Sequence, residues 1–174
     1  IDVIRSTLAG RPHHLVGFFD QSLYEPAGCF VSLHRQEDHA LRGCVGRFAN
    51  KEPLIEVVRS SAASVLQDPR FLEQPITPVE LPSLEIELSV LSPLKPKAHV
   101  LDFDPKQEGI YLLHEGRSGC FLPQVARQTG WRREQLVDRL CTEKMGLPPT
   151  AWRDPKAKLL TFTAQIIGPV RFPK

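Results

Sequence analysis

Apolar and polar positions along this chain recur with two different periods, and the switches between them divide it into short elements. From Gly28, GCFVSLHRQEDHALRGCVGRF carries two strand-like runs, 28–35 and 40–48, around a polar turn near Gln36–His39, which predicts a hairpin. After Pro53, suited to a helix's first turn, Leu54, Ile55, Val58, Ala62, Val65 and Leu66 fall on one helical stripe. Asp68-Pro69 ends that helix, because the residue before proline avoids the helical region. Leu84, Ile86, Leu88 and Val90 alternate with Glu85, Glu87 and Ser89, as in a strand with one apolar face. A second hairpin is expected in GIYLLHEGRSGCFL, turning at Glu115–Gly119 on its two glycines. From Arg133 to Met145 a helix carries Leu136, Val137, Leu140, Cys141 and Met145 on its apolar stripe, with Gly146 as C-cap and Pro148 as stop. LLTFTAQIIG alternates Leu160, Phe162, Ala164 and Ile166 as one strand, and Ile1–Leu8 reads as the tail of an amphipathic helix. Hairpins and helices do not alternate as β-α-β units, so the fold class is α+β, with mostly antiparallel sheets flanked by helices.

Composition narrows the function more than the fold. A chain of 174 residues is about one domain and can bury a real core. No apolar run reaches the roughly 18 residues of a membrane span, so no membrane association is expected. The start at Ile1 carries no signal-peptide core and no initiator methionine, so upstream residues are expected to be missing. A net charge of +2 without a basic block argues against nucleic acid as a partner. The four cysteines, Cys29, Cys44, Cys120 and Cys141, lack paired spacing and read as reduced thiols of a cytoplasmic protein. No P-loop or dinucleotide fingerprint is present, and neither a cofactor nor a metal is expected.

The stretch with most chemistry is Leu41-Arg42-Gly43-Cys44-Val45-Gly46. Strict alternation puts Arg42, Cys44 and Gly46 on one strand face and Leu41, Gly43 and Val45 on the other. A four-residue loop places Cys44 opposite Val31 and Arg42 opposite Leu33, on an apolar face. A five-residue loop places Cys44 opposite Ser32 and Arg42 opposite His34, on a polar one. In the polar case Arg42, with His34 or His39, favours the nucleophilic thiolate; in the other, Cys44 is an inert buried thiol. Glycines within a strand mark a bulge or a close approach by a ligand or another chain, which makes this stretch a docking surface as readily as a nucleophile.

The same hexapeptide resembles the signature of the AMMECR domain family, whose bacterial and archaeal members are called AmmeMemoRadiSam system protein A, with Val45 where isoleucine is usual. GCFVSL before it and EPLIEVV after it also match. So do DPRF (Asp68–Phe71), LPSLEIELSVLSP (Leu81–Pro93), EGIYLL, GCFLPQVA (Gly119–Ala126) and GLPPTAW (Gly146–Trp152), covering nearly the whole chain. Arg132 departs from the acidic residue common after the tryptophan. The resemblance implies one domain over residues 1–174, with two unequal, interleaved lobes packed around a cleft. It implies association with Memo-like proteins, themselves similar to iron-dependent dioxygenases, and with radical S-adenosylmethionine proteins. It attaches no reaction to the domain. The family signature carries over onto Leu41, Arg42, Gly43, Cys44 and Gly46.

Around that stretch, Glu85 and Glu87 share a strand face about 7 Å apart, as an acid–base pair or an ordinary solvated face, with Arg42 or Arg70 as possible partners. Asp68 and Arg70 follow a helix end and can reach the same place, with Phe71 as an anchor. His13-His14 has no third ligand at metal spacing. Arg127, Arg132, Arg133 and Arg139 form either a basic patch or a wet helix face. Cys120 and Cys141 fit core positions. Two functions follow. One is an accessory binding module in which Leu41, Gly43, Gly46, Asp68, Arg70, Glu85, Glu87 and His34 surround Cys44 and Arg42. The other is an enzyme with Cys44 as nucleophile oriented by Arg42. RNA binding is a third, weaker reading.

Overall fold

The computed structural model describes residues 1–12, 20–48 and 51–173. In chain order the elements are α1 (Asp2–Leu8), β1 (Gly28–Arg35), β2 (Leu41–Arg47), α2 (Leu54–Ser64), β3 (Leu84–Leu91), β4 (Lys95–Pro96), β5 (Gly109–His114), β6 (Arg117–Phe121), α3 (Pro123–Thr129), α4 (Arg133–Arg139), β7 (Lys158–Phe162) and β8 (Ala164–Arg171). The strands form two four-stranded sheets, ordered β2-β1-β3-β8 and β4-β7-β5-β6. The paired strands whose register is described run antiparallel, in an α+β fold.

The chain divides into two compact units, Ile1–Leu91 with Gln165–Lys174, and Ser92–Ala164. Each has its own core. In the first, Val31, Leu33, Leu84 and Ile86 pack with Ile4 of α1, Ala62 of α2 and the following Val65. In the second, Ile110, Leu112 and Leu159 meet Leu136, Val137, Leu140 and Cys141. Each Val, Leu or Ile side chain among these contributes about 1.5–3 kcal/mol on removal from water.

Three local expectations change. The buried line of α2 is Leu54, Val57, Ser61 and Ala62, a stripe rotated from the expected one, with Ile55 and Val58 only half-buried. The expected single strand over LLTFTAQIIG breaks at Thr163 into β7 and β8, which belong to different sheets. The second hairpin turns on Glu115 and Gly116 alone, both left-handed (φ 47° and 75°), while Gly119 lies within β6. There it clears room for the helix that follows: a Cβ on Gly119 would stand 2.8 Å from Lys144 Cβ and 2.9 Å from Met145 Cγ.

The helix from Arg133 leaves α geometry at Leu140–Lys144, where it widens to a π turn before Gly146 caps it in the left-handed region (φ 61°). Despite Arg132, its start is capped in part. Gln135 Oε1 accepts the Arg132 amide at 3.0 Å, one arm of a capping box.

Candidate functional site

The hairpin β1–β2 decides the site, and it satisfies part of each loop reading. Arg35 N donates to Ala40 O at 3.0 Å, closing a four-residue loop whose last residue, His39, is left-handed (φ 56°). His34 then pairs with Leu41, but beyond it the register slips: Leu33 faces Gly43, Ser32 faces Cys44 and Phe30 faces Gly46. The extra residue is Arg42, a β-bulge. Such an insertion reverses the facing of the residues on either side of it. Cys44 therefore stands opposite Ser32, as a five-residue loop would have put it. Arg42 stands opposite neither Leu33 nor His34, and Leu41 turns to the face of Cys44 instead of that of Gly43 and Val45.

On the other side of β1, Glu87 pairs with Ser32 and Glu85 with His34. Directly opposed residues share a sheet face, so two adjacent rungs run Leu41–His34–Glu85 and Cys44–Ser32–Glu87. Leu41, His34, Cys44, Gly46, Glu85 and Glu87 thus come together on one face. Ser32 Oγ donates to Cys44 Sγ at 3.3 Å. Glu85, 7% exposed, is held by His39 Nδ1 at 2.7 Å, and His34 Nδ1 lies 3.1 Å from the His39 carbonyl. Neither Arg42 nor Arg70 partners these carboxylates, contrary to expectation.

β2 is an edge strand, and the DPRF turn covers its edge at Cys44. Asp68, buried at 3% exposure, accepts the Cys44 amide at 2.8 Å, while Arg70 Nη2 donates to the Cys44 carbonyl at 3.2 Å. Asp68 and Arg70 clamp one another through Nε at 3.0 Å and Nη2 at 2.6 Å. Burial works to raise the Asp68 carboxyl. Hydrogen bonds from the Arg70 guanidinium and from the Cys44 and Arg70 amides outweigh it and hold the group at about 2. Hydrogen bonding to Asp68 raises Arg70 in turn, with a further contribution from Cys44.

The guanidinium beside Cys44 is therefore that of Arg70. Arg42 is committed elsewhere, and its expected role as the group that orients the thiol is not supported by its position. Its Nε and Nη2 grip Glu80 at 2.6 and 3.1 Å, and Nη2 also reaches the Gln74 carbonyl. Arg42 and Arg70 lie over the same Phe71 ring, at 5.7 and 5.6 Å from its centroid. Glu80 carried no signal in the sequence, whereas Ser32 was visible once the register was known.

The two glycines are explained by packing within the chain. A Cβ on Gly43 would sit 3.0 Å from the Val65 carbonyl oxygen and 3.1 Å from Val65 Cγ2. On Gly46 it would be 2.6 Å from Phe30 Cγ and closer still to the backbone of Cys29 and Phe30.

Cys44 and Cys120 are half-buried; Cys29 and Cys141 are buried. Burial first, and then the neighbouring Cys44, push the Cys29 thiol up to about 12. Burial also raises Cys141. Cys120 is thus less enclosed than expected. Three of the four arginines considered for a basic patch have specific partners: Arg127 and Arg133 donate to the carbonyls of Lys106 and Phe103, and Arg139 pairs with Glu143. His13 and His14 lie outside the described residues. Among the described residues no helix is long and apolar enough to cross a membrane.

Fold and site together define an α+β protein that displays a half-buried thiol on a carboxylate-bearing sheet face, with its backbone clamped by an Asp–Arg pair. The AMMECR1 family model matches residues 1–167, and the chain belongs to that family. A protein of Thermococcus gammatolerans is 37% identical over 164 residues, 86% of this chain and 78% of that protein. Protein MJ0810 of Methanocaldococcus jannaschii is 34% identical over 97% of this chain and 85% of its own length. The crystal structure of uncharacterized protein PH0010 from Pyrococcus horikoshii superposes with a TM-score of 0.84 at 30% identity, covering 99% of this chain and 92% of that one.

Proposed function

We propose that this chain is an accessory binding module of a modification system, and that the face bearing Leu41, His34, Cys44, Glu85 and Glu87 receives a segment of its partner. The observation that supports this reading most is the pair of rungs that places a thiol, a hydroxyl, an imidazole, two carboxylates and an exposed leucine (37%) on one face. Asp68 and Arg70 occupy the backbone groups of Cys44, so recognition there runs through side chains and not through an added strand. Carboxylates repel phosphates, which argues against the RNA reading and for a neutral or cationic partner segment.

The partners proposed are a Memo-like protein and a radical S-adenosylmethionine protein, on the family resemblance. Titration calorimetry of the chain with each is expected to show saturable heat with at least one, weakened tenfold or more by Glu87→Gln together with Leu41→Ser. Absence of heat with both partners would remove the proposal.

A second reading, a cysteine-dependent enzyme acting through Cys44, draws on the Arg70 charge and the Ser32 hydrogen bond, both of which favour a thiolate. The informative comparison is with Cys120, which is also half-buried. On this reading Cys44 alkylates at least tenfold faster than Cys120, with an apparent pKa below the reference value of about 8.5. Equal rates for the two thiols would dispose of it.

A further inference from the structure

A second cluster lies in the unit Ser92–Ala164 and shares no residue with the proposed site. His114 ends β5, Glu115 opens the turn after it, and Asp154 comes from the loop before β7. One ligand atom from each lies within 4.8 Å of the others. The imidazole is buried, at 6% side-chain exposure, yet it is poorly satisfied. Among the described residues Nδ1 has no hydrogen-bond partner, and Nε2 faces Asp154 Oδ2 at 3.8 Å, beyond hydrogen-bonding distance. Buried polar groups are normally paired, so an imidazole left this way calls for an explanation.

For Nε2 the spacing supplies one. Two donors about 2.1 Å from a common ion at a tetrahedral angle are about 3.4 Å apart. His114 Nε2 and Asp154 Oδ2 are too far apart to bond each other and close to the separation at which both would hold one ion. Asp154 is already oriented, because its Oδ1 accepts the Lys156 amide at 2.8 Å and leaves Oδ2 for His114. Glu115 is exposed, so its carboxylate can close the remaining distance. Two carboxylates neutralise a divalent charge. An imidazole nitrogen with two carboxylate oxygens suits Zn²⁺, Co²⁺ or Mn²⁺ better than Mg²⁺ or Ca²⁺, which favour all-oxygen sites. With an ion on Nε2 the ring proton rests on Nδ1, which keeps no partner among the described residues, so the ion accounts for the placement of Nε2 alone.

The geometry points to a divalent transition-metal site formed by His114, Glu115 and Asp154. Asp154 also lines a cavity of about 610 Å³, together with His99, Trp152 and Arg153. Three protein ligands leave a coordination position vacant, and of the three Asp154 alone borders the cavity. This goes beyond the binding function proposed above and does not depend on it.

Co²⁺ titration of the reduced chain, followed in the visible spectrum, tests the assignment. One Co²⁺ per chain is expected, with ligand-field bands of N/O donors, no thiolate-to-cobalt charge transfer, and at least tenfold weaker binding in both His114→Gln and Asp154→Asn. Near-ultraviolet circular dichroism checks the fold of each variant. If His114→Gln does not fold, Glu115→Gln, at an exposed turn position, must weaken binding by itself. No uptake at 1 mM Co²⁺, a thiolate band, or unchanged affinity in the folded variants overturns the proposal.

Discussion

Asp68 joins the helix end, the edge strand and the thiol, and its removal gives the most quantitative test of the site. Its carboxylate accepts from the Cys44 amide at 2.8 Å, the Arg70 amide at 3.1 Å and two guanidinium nitrogens. The group sits at about 2 against an ordinary 3.8. That depression corresponds to roughly 2–3 kcal/mol of native-state stability at neutral pH. Arg70 is half exposed, and water screens the ion pair, so about 1–2 kcal/mol is the expected cost of Asp68→Asn. The sign is that of a depressed carboxylate: the stabilisation is complete well above 3.8 and is lost as pH falls toward 2. At pH 3 about half remains. Urea unfolding of wild type and Asp68→Asn at pH 7, 5, 4 and 3 measures this directly. The gap between them should hold from pH 7 to 5 and fall by about half by pH 3. A gap independent of pH, or one below about 0.3 kcal/mol at pH 7, would refute the account of how β2 is held.

Other consequences separate the neighbours of Cys44 from one another. Arg70→Ala should slow Cys44 alkylation several-fold, whereas Arg42→Ala should leave that rate unchanged while costing about 2 kcal/mol, because it strips a partner from half-buried Glu80. A thiol rate that follows Arg42 instead would reverse the assignment. Gly46→Ala should destabilise by about 3 kcal/mol or more, because its Cβ meets the backbone of β1. Gly43→Ala meets Val65 at 3.0–3.1 Å and should cost less; thermal melts showing the opposite order would contradict the register. His39→Ala leaves buried Glu85 without its imidazole and should cost about 1–2 kcal/mol in urea unfolding, an effect absent in a Glu85→Gln background.

Several features were fixed by short-range chemistry and could be read along the chain. The hairpin 28–47, the proline-bounded helix from Leu54 and the left-handed Gly146 each depend on neighbours a few residues away, where φ/ψ preference and side-chain period act directly. The α+β class followed from these elements and their order, and the family resemblance from the residue motifs themselves. What only the tertiary structure decided was which groups meet. A single inserted residue at Arg42 moved Leu41 to the face of Cys44 and separated the arginine from the thiol, because sheet facing has a period of two and no local signal marked the slip. Glu80, 38 residues away, captured Arg42, and Asp68 with Arg70 took the place beside Cys44. His114 and Asp154, 40 positions apart, came within 3.8 Å through the turn after β5 and the loop before β7. Local periodicity determines which way a side chain faces relative to its own element; long-range packing determines what it faces.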